Sequence, residues 1–397
     1  MNLYDENTKI ITQNGIKKYH NLNKNDIVFS LNLNTGEIET NVLQNIYIEN
    51  FNGNLIHVFG KRIDQLLSLN SSLIMQHDSK EYLITEISEW KKKLKPTVSY
   101  WNIPLPNSHG KLNEKINIKE YIEFNFKNEL QSSNYFRNLK YEYSTKDFLY
   151  LLGLYIGDGF LASRKKINKN FSQHQRQKMR DKCGRFLKTD EIKDDKIYKQ
   201  SSTMLFAIPE SDPARYKLCC CLNQNDLKYT EQKATITVTS LPLAKVFSLS
   251  GNKVYFKKIP NFVFDFHPDV LKHLLKGLID SDGSTKLTHS NKKRFNFSTV
   301  SDQLAAQMIL LSMKCQKYCC YRETFNCGSK LENRIIKSTK LGYSIDINSG
   351  KTNKMYNKML QEKKYNGKVW NLLLNKLNNF MTVRNGKVTF SKSLNGE

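Results

Sequence analysis

Residues 151–159 read LLGLYIGDG and residues 275–283 read LKGLIDSDG, two apolar helix patterns that each end on an aspartate and a glycine. The first follows Ser144 and Asp147, which are spaced as a capping box. The second follows His267 and Pro268, with the proline in a first helical turn that tolerates it. The pattern predicts two helices of about four turns. Gly159 and Gly283 are expected to close them in the left-handed conformation, leaving Asp158 and Asp282 in the last turns, where the helix dipole is already negative. A carboxylate there is electrostatically misplaced. Two in equivalent positions call for a compensating cation, and hard divalent ions such as Mg²⁺ take carboxylate oxygens.

The rest of the composition points the same way. Lys and Arg total 62 against 37 Asp and Glu, a net charge of +25 that draws the protein to a polyanion and makes binding salt dependent. Nucleic acid is the expected partner. No stretch of 18 or more apolar residues exists to suggest a membrane span, and Met1 to Glu6 lacks the basic start and apolar core of a signal peptide, so the expectation is a soluble intracellular protein. That means the nucleus in a eukaryote and the cytoplasm otherwise. Eight cysteines without a secretory signal are expected to be reduced core thiols. Cys315, Cys319, Cys320 and Cys327 lack paired CxxC spacing and run through an apolar, helix-like stretch from Leu304 to Tyr321.

The two opening stretches resemble the signature helices of the LAGLIDADG homing endonucleases, the second copy matching the family name at most positions. The resemblance implies two helices side by side at a pseudo-twofold axis, with Gly153 and Gly277 letting the backbones approach. It also implies that Asp158 and Asp282 bind the Mg²⁺ that serves cleavage of double-stranded DNA. Ile156 stands where the second copy keeps Asp280, a position that is not the usual metal ligand. In that family a lysine in a Lys-x-Ile-Pro segment lies in the active site, which carries over to Lys257 ahead of Ile259 and Pro260. Lys337 and Lys340 are the candidates for its counterpart in the other half. Two halves of αββαββ type in one chain imply a monomer with no obligate protein partner.

At both ends the chain reads as short strands with turns between them. Lys9–Thr12, Ile27–Asn32, Val42–Ile48, Leu55–Phe59 and Gln65–Leu69 are punctuated by Asn14-Gly15, Thr35-Gly36 and Asn52-Gly53. Near the end, Gly367–Leu374 and Asn379–Phe390 enclose an Asn385-Gly386 turn. This arrangement is similar to a large intein, in which a Hint fold is split by a LAGLIDADG insertion. The resemblance places the first splicing nucleophile near Leu3, a catalytic histidine within Ser68–Ser71, and the closing His-Asn on Phe390-Ser391. None of these positions carries the required residue, which implies a free-standing endonuclease on a Hint scaffold that no longer splices, as in the mating-type switching endonucleases of yeasts.

The expected fold class is α+β, a pseudo-twofold LAGLIDADG unit inserted in an all-β Hint-like domain. The boundaries are 1–106 for the first Hint part, 107–143 for a basic and aromatic extension that begins near 90, 144–266 and 267–362 for the two halves, and 363–397 for the closing Hint part. Lys91, Lys92 and Lys93 open the extension, which is either a DNA-recognition element or a solvated linker. Arg164, Lys165, Lys166 and Arg176 after the first motif, and Lys292, Lys293 and Arg294 after the second, are the further candidates for DNA contact. Tyr198–Ile208, Lys233–Thr239, Lys292–Ser298 and Gly342–Ile347 are the expected strands of the two sheets. A DNA or RNA maturase-like binder without cleavage is the alternative function.

Overall fold

The computed structural model describes residues 2–77, 81–93, 101–107, 109–122, 139–161, 203–287, 293–325, 330–331, 334–335, 340–348 and 359–394. It is a sheet-rich α+β protein that divides into two compact units. Met1–Ile116, Tyr143–Asp158 and Leu249–Glu397 form the first, and Asn117–Glu142 with Gly159–Ser248 the second. Among the described residues, no helix is long and apolar enough to cross a membrane.

In the first unit, segments from the two ends of the chain build one sheet together. Its longest members are Ile38–Phe59 and Leu360–Leu374, which pair antiparallel from Val58↔Leu360 to Leu43↔Leu374. The two strands expected at Val42–Ile48 and Leu55–Phe59 are therefore one, and Asn52-Gly53 is not a turn. Asn52 pairs with Asn366 and Gly53 with Tyr365, so a partner strand satisfies the backbone groups that a local turn would otherwise bend to meet. Tyr4 pairs with Trp370 and Lys9 with Val383. Behind these pairings Tyr4, Tyr19, Trp370 and Phe380 pack as an aromatic cluster, with Tyr19 stacked on Trp370 at 5.9 Å. Asn385-Gly386 does form the expected turn, both residues having positive φ.

A buried ion cluster ties the same ends. The Arg384 guanidinium donates to Asp5 at 3.0 and 3.1 Å and to Asp64, whose carboxylate also takes His57 at 3.0 Å. Burial pushes the Asp64 carboxyl up, but bonds from Asn385 and His57 and the Arg384 charge outweigh it and leave the group below its usual range. Removing one partner from such a cluster strands a buried charge.

The two motif helices run Thr145–Asp158 and Pro268–Asp282. Ser144 Oγ accepts the Asp147 N–H at 3.5 Å, and the His267 ring accepts the Asp269 N–H at 3.2 Å with Pro268 at the first helical position. Neither closing glycine is left-handed. Gly283 has φ −110° and ψ 179°, extended backbone that leads directly into the strand Gly283–Leu287, and Gly159 begins the strand Gly159–Leu161. What demands glycine at 283 is space, since a Cβ there lies 2.7 Å from the Ile279 carbonyl oxygen and 2.8 Å from that of Asn296.

Behind the second motif helix, Gly283–Leu287, Lys293–Thr299, Gly342–Asn348 and Tyr318–Thr324 lie side by side, all antiparallel. The helix Asp302–Lys314 packs on this sheet. The helix-like reading of Leu304–Tyr321 fails after Lys314. Cys315 caps the helix, Gln316 takes a positive φ of 55°, and Cys319 and Cys320 lie in the following strand. Tyr318, Cys319 and Tyr321 are β-compatible residues that the sheet buries in place of a further helical turn.

The second unit contains a four-stranded antiparallel sheet ordered Gly159–Leu161, Thr203–Phe206, Ile236–Thr239 and Tyr229–Glu231. The alternation expected around Thr235–Thr239 holds, with Ile236 and Val238 buried. The helices Pro213–Gln224 and Leu241–Ser248 belong to the same unit, and buried Arg215 links Glu231 to the carbonyls of Ile208 and Gln232.

The first unit's helix pair gives a direct test. A Cβ added at Gly277 meets the Tyr150 carbonyl oxygen at 2.3 Å, and one at Gly153 meets that of Leu274 at 2.5 Å, so in both cases rigid backbone must move. Gly277→Ala should lower stability by about 3 kcal/mol, the upper end of the usual overpacking cost. An unchanged urea midpoint would show that the helices can part freely.

Candidate active site

Asp158 and Asp282 are the last residues of their helices, and close packing brings those helix ends together. At Gly153 an added Cβ lies 2.9 Å from the Gly277 Cα, and at Gly157 one lies 2.5 Å from the Ser281 Cβ. Equal steps along both helices pair with each other, so the two run parallel and end at the same level. Gly157 and Ser281 were not singled out from the sequence. The available signal was the recurrence of small residues four apart in both motifs, which clears one face of each helix.

Lys257 completes the group. It follows the short 3-10 turn Val254–Phe256 and is 7% exposed, with its ammonium donating to the Tyr155 carbonyl at 3.0 Å and lying 4.8 Å from that tyrosine's ring. The loop is fixed from behind. Ser301 Oγ donates to the Lys257 carbonyl at 2.6 Å, while the Gln307 amide donates to and accepts from the Ile259 backbone, both bonds at 2.7 Å. Neither positioning residue stood out beforehand. Gln307 could have been noticed as a buried amide inside an otherwise apolar helix.

The electrostatics of the three groups are coupled. Burial pushes the Lys257 ammonium down to about 8, while Asp282 and then Asp158 pull it back up. Asp282 retains solvent access, yet the protein packed around it partly desolvates its carboxyl. The desolvation raises its carboxyl pKa and Lys257 opposes the rise. Solvent access screens both effects. Two parallel helix C-termini carry roughly half a negative charge each, to which the aspartates add two, against one positive charge from Lys257. The remaining deficit is close to two charges, which fits one divalent cation.

The donor set fits the same ion. Mg²⁺ keeps several waters and is commonly held by one or two carboxylates plus substrate phosphate oxygens. Among the described residues, no group of three or more His, Cys, Asp or Glu side chains is arranged as a self-sufficient metal cage. Asp280 is occupied elsewhere, taking a bond from Tyr150 Oη at 3.0 Å and pairing with Lys276 one turn earlier.

The remaining candidates are scattered. Lys92 is exposed on the helix Ile87–Lys93, whose backbone includes Lys91 and Lys93, while Trp90 is buried beneath it. Lys293 and Arg294 are exposed at the start of the strand Lys293–Thr299. Arg164, Lys165, Lys166, Arg176, Lys292 and Lys337 lie outside the described residues. Lys340 lies 4.4 Å from the Tyr255 ring.

The three positions assigned to splicing meet in space, although they are far apart in sequence. The Leu3 N–H donates to Ser71 Oγ at 3.4 Å and its carbonyl accepts from the Ser68 N–H at 3.3 Å. Asn2 reaches the Lys392 carbonyl at 3.2 Å, and Gln65 donates to Ser391 Oγ at 2.7 Å. Leu3 and Phe390 are buried apolar side chains there.

No protein-family model matches this chain, and no curated protein matches it. Among solved structures, the N-terminal LAGLIDADG domain of DUF199/WhiA matches at 12% identity over 52% of this chain and 75% of that one, with a TM-score of 0.25. A bacterial intein-like domain from Clostridium thermocellum matches at 17% identity over 21% of this chain, with a TM-score of 0.18. The gp41-1 intein matches at 19% identity over 22%, with a TM-score of 0.16. The chain spans 59% and 60% of the lengths of these last two structures.

Lys257 supplies a measurable signature. A folded pKa near 8 against 10.5 for the ordinary side chain means that the unfolded chain binds more protons between those values. Wild-type stability should therefore rise with pH through that window relative to Lys257→Met. With EDTA present, the difference should change by roughly 3 kcal/mol between pH 7 and the ordinary lysine range. A difference that stays flat with pH would mean that the lysine titrates normally.

Proposed function

We propose that this chain is a metal-dependent, site-specific endonuclease of the LAGLIDADG type that cuts both strands of duplex DNA, carried on a Hint-like scaffold that does not splice. The observation that carries the reading is the pair of aspartates at the parallel, glycine-packed helix ends with the buried Lys257 beside them. Parallel helices ending at one level, each with its own carboxylate, match the demand of hydrolysing two nearby phosphodiesters. On this reading the two helices lie about a pseudo-twofold axis, and a monomer provides both half-sites.

Each residue has a distinct task. Asp158 and Asp282 would hold Mg²⁺, which when bound lowers the pKa of a water and offsets charge on the leaving oxygen. Lys257 is protonated at neutral pH, and its bond to the Tyr155 carbonyl holds one positive charge near enough to interact with both carboxylates. Such a charge stabilises the extra negative charge of a pentacoordinate phosphorus in a site of low dielectric. Ser301 and Gln307 hold the lysine loop at a fixed depth, so little reorganisation accompanies reaction.

Two further observations support duplex DNA as the substrate. The net charge of +25 supplies the sequence-independent attraction. The strands Lys293–Thr299 and Gly342–Asn348 also carry Arg294, Asn296, Ser344 and Asp346 on one face, while Phe297, Ile345 and Ile347 are buried on the other. A polar face of this kind presents donors and acceptors at the spacing of a pleated ribbon, which the major groove admits. The absence of splicing is supported by Leu3 and Phe390, which occupy the positions where a nucleophile and a histidine would be needed.

The test is cleavage of a randomised duplex library with and without Mg²⁺. Wild-type protein should produce metal-dependent double-strand cuts at an enriched sequence. Asp158→Asn or Asp282→Asn should abolish cutting, with at least a thousandfold loss, while duplex affinity and its salt dependence change little. Salt-sensitive binding without any cleavage by wild type would favour the cleavage-dead binder, and preference for structured RNA over duplex DNA would favour the maturase-like alternative.

A further inference from the structure

The polar face of the sheet behind the second motif helix contains one charge of the wrong sign for a polyanion. Asp346 lies in the strand Gly342–Asn348, directly across from Asn296 on one side and Cys320 on the other. Its carboxylate is only 12% exposed. Oδ2 accepts from Arg294 Nη2 at 2.7 Å and from Arg322 Nη2 at 3.2 Å, and Oδ1 accepts from Asn296 Nδ2 at 3.0 Å. The Asn296 amide also donates to Ser344 Oγ at 2.9 Å.

This carboxylate is shared between two arginines that approach from opposite sides and remain accessible, with side-chain exposures of 46% for Arg294 and 70% for Arg322. Each guanidinium gives Asp346 one of the two Nη2 hydrogens. The other Nη2 hydrogen stays available beside Nη1 or Nε, neither of which has a partner among the described residues. A guanidinium presents several donors in a planar fork, so a head held at one corner is oriented and can still make a bidentate contact. Guanine is the base that offers two acceptors, O6 and N7, at the matching spacing in the major groove.

Orientation matters because a free arginine loses considerable rotamer freedom when it docks. A surface ion pair placed only for stability is a weak device, since exposed pairs contribute little. The near-buried carboxylate shared by two exposed heads is better matched to holding those heads still. We propose that Asp346 is a positioning residue that fixes Arg294 and Arg322 as a pair of guanine readers, so that the target duplex carries guanines at two positions beneath this sheet. The inference rests on the duplex-DNA reading given above.

The experiment selects bound duplexes from a randomised library with the full-length protein in EDTA, so that binding is read without cleavage. Wild type should enrich guanine at two positions, each favoured about tenfold to a hundredfold. Arg294→Ala should erase one preference and Arg322→Ala the other. Asp346→Asn, which keeps size and removes charge, should weaken both preferences while leaving the slope of affinity against salt no shallower than wild type. Replacing the selected guanines with 7-deazaguanine, which lacks the N7 acceptor, should cost wild type about tenfold and Asp346→Asn much less.

Thermal midpoints separate folding defects from loss of reading, and the highly exposed Arg322 provides a variant that should fold normally. Binding without guanine enrichment, or an Asp346→Asn protein with both preferences intact, overturns the inference and leaves the endonuclease reading standing. Wild type that binds no duplex overturns both.

Discussion

Where the two motif helices cross there is no room for a side chain. Gly153 sits against Gly277, where backbone atoms fill the space that a Cβ would need, and Gly157 sits against the Ser281 side chain, which fills that space there. That contact fixes more than the packing. Each aspartate lies five residues beyond its contact glycine, about 7.5 Å along the axis, so equal offsets on parallel helices deliver both carboxylates to one level. The same alignment brings two negative helix ends together, which is unfavourable by itself and makes sense only where positive charge is supplied. Lys257 is one source, and it is held deep enough to feel both carboxylates.

The β part of the first unit depends on an equally long-range constraint. Its central ribbon joins residues from positions 43–58 to residues from 360–374, and the buried Asp5–Arg384–Asp64 cluster joins three further segments. Neither can form until nearly the whole chain has been made, so closing this sheet carries the entropy of a very large loop. Burial of Tyr4, Trp370 and Phe380 in one aromatic core offsets that cost. Leu3 and Phe390 are buried apolar side chains of the same unit.

What was legible in the sequence follows from the range of the forces involved. The motif helices, their caps at Ser144 and His267, and the Asn385-Gly386 turn are set by neighbours within a few residues, and each formed where local pattern placed it. Asn52-Gly53 carries the same local turn signal, yet it runs straight through a strand because its partner arrives from more than 300 residues away. The thiols at 319 and 320 entered a strand for a related reason: cross-strand burial against residues 346–347 overrode an apolar run that was equally compatible with helix. Glycine at 283 was chosen by a steric neighbour on another strand, and the left-handed cap expected from local rules was therefore absent. In the candidate site, Asp158 and Asp282 could be named from the repeated helix motif, and Lys257 from the family resemblance of its Lys-x-Ile-Pro segment. Ser301, Gln307 and Asp346 could not, since each acts through a hydrogen bond to a distant segment.

On the proposed reading, the depth of Lys257 answers two conflicting requirements. An ammonium fully in water would remain charged but would be screened too strongly to stabilise a transition state. One buried without carboxylates nearby would lose its proton at neutral pH. Burial lowers the Lys257 pKa and the two aspartates raise it, and the balance near 8 keeps the buried ammonium charged at neutral pH. The aspartates therefore maintain the lysine's charge through the same geometry that suits them to a metal. Conversely, a cation brought in by substrate phosphates would compete with Lys257 for the same carboxylates and push its proton off more easily. Binding and protonation are thereby linked through the carboxylates, while the Tyr155 carbonyl gives the lysine a hydrogen-bond partner that does not titrate.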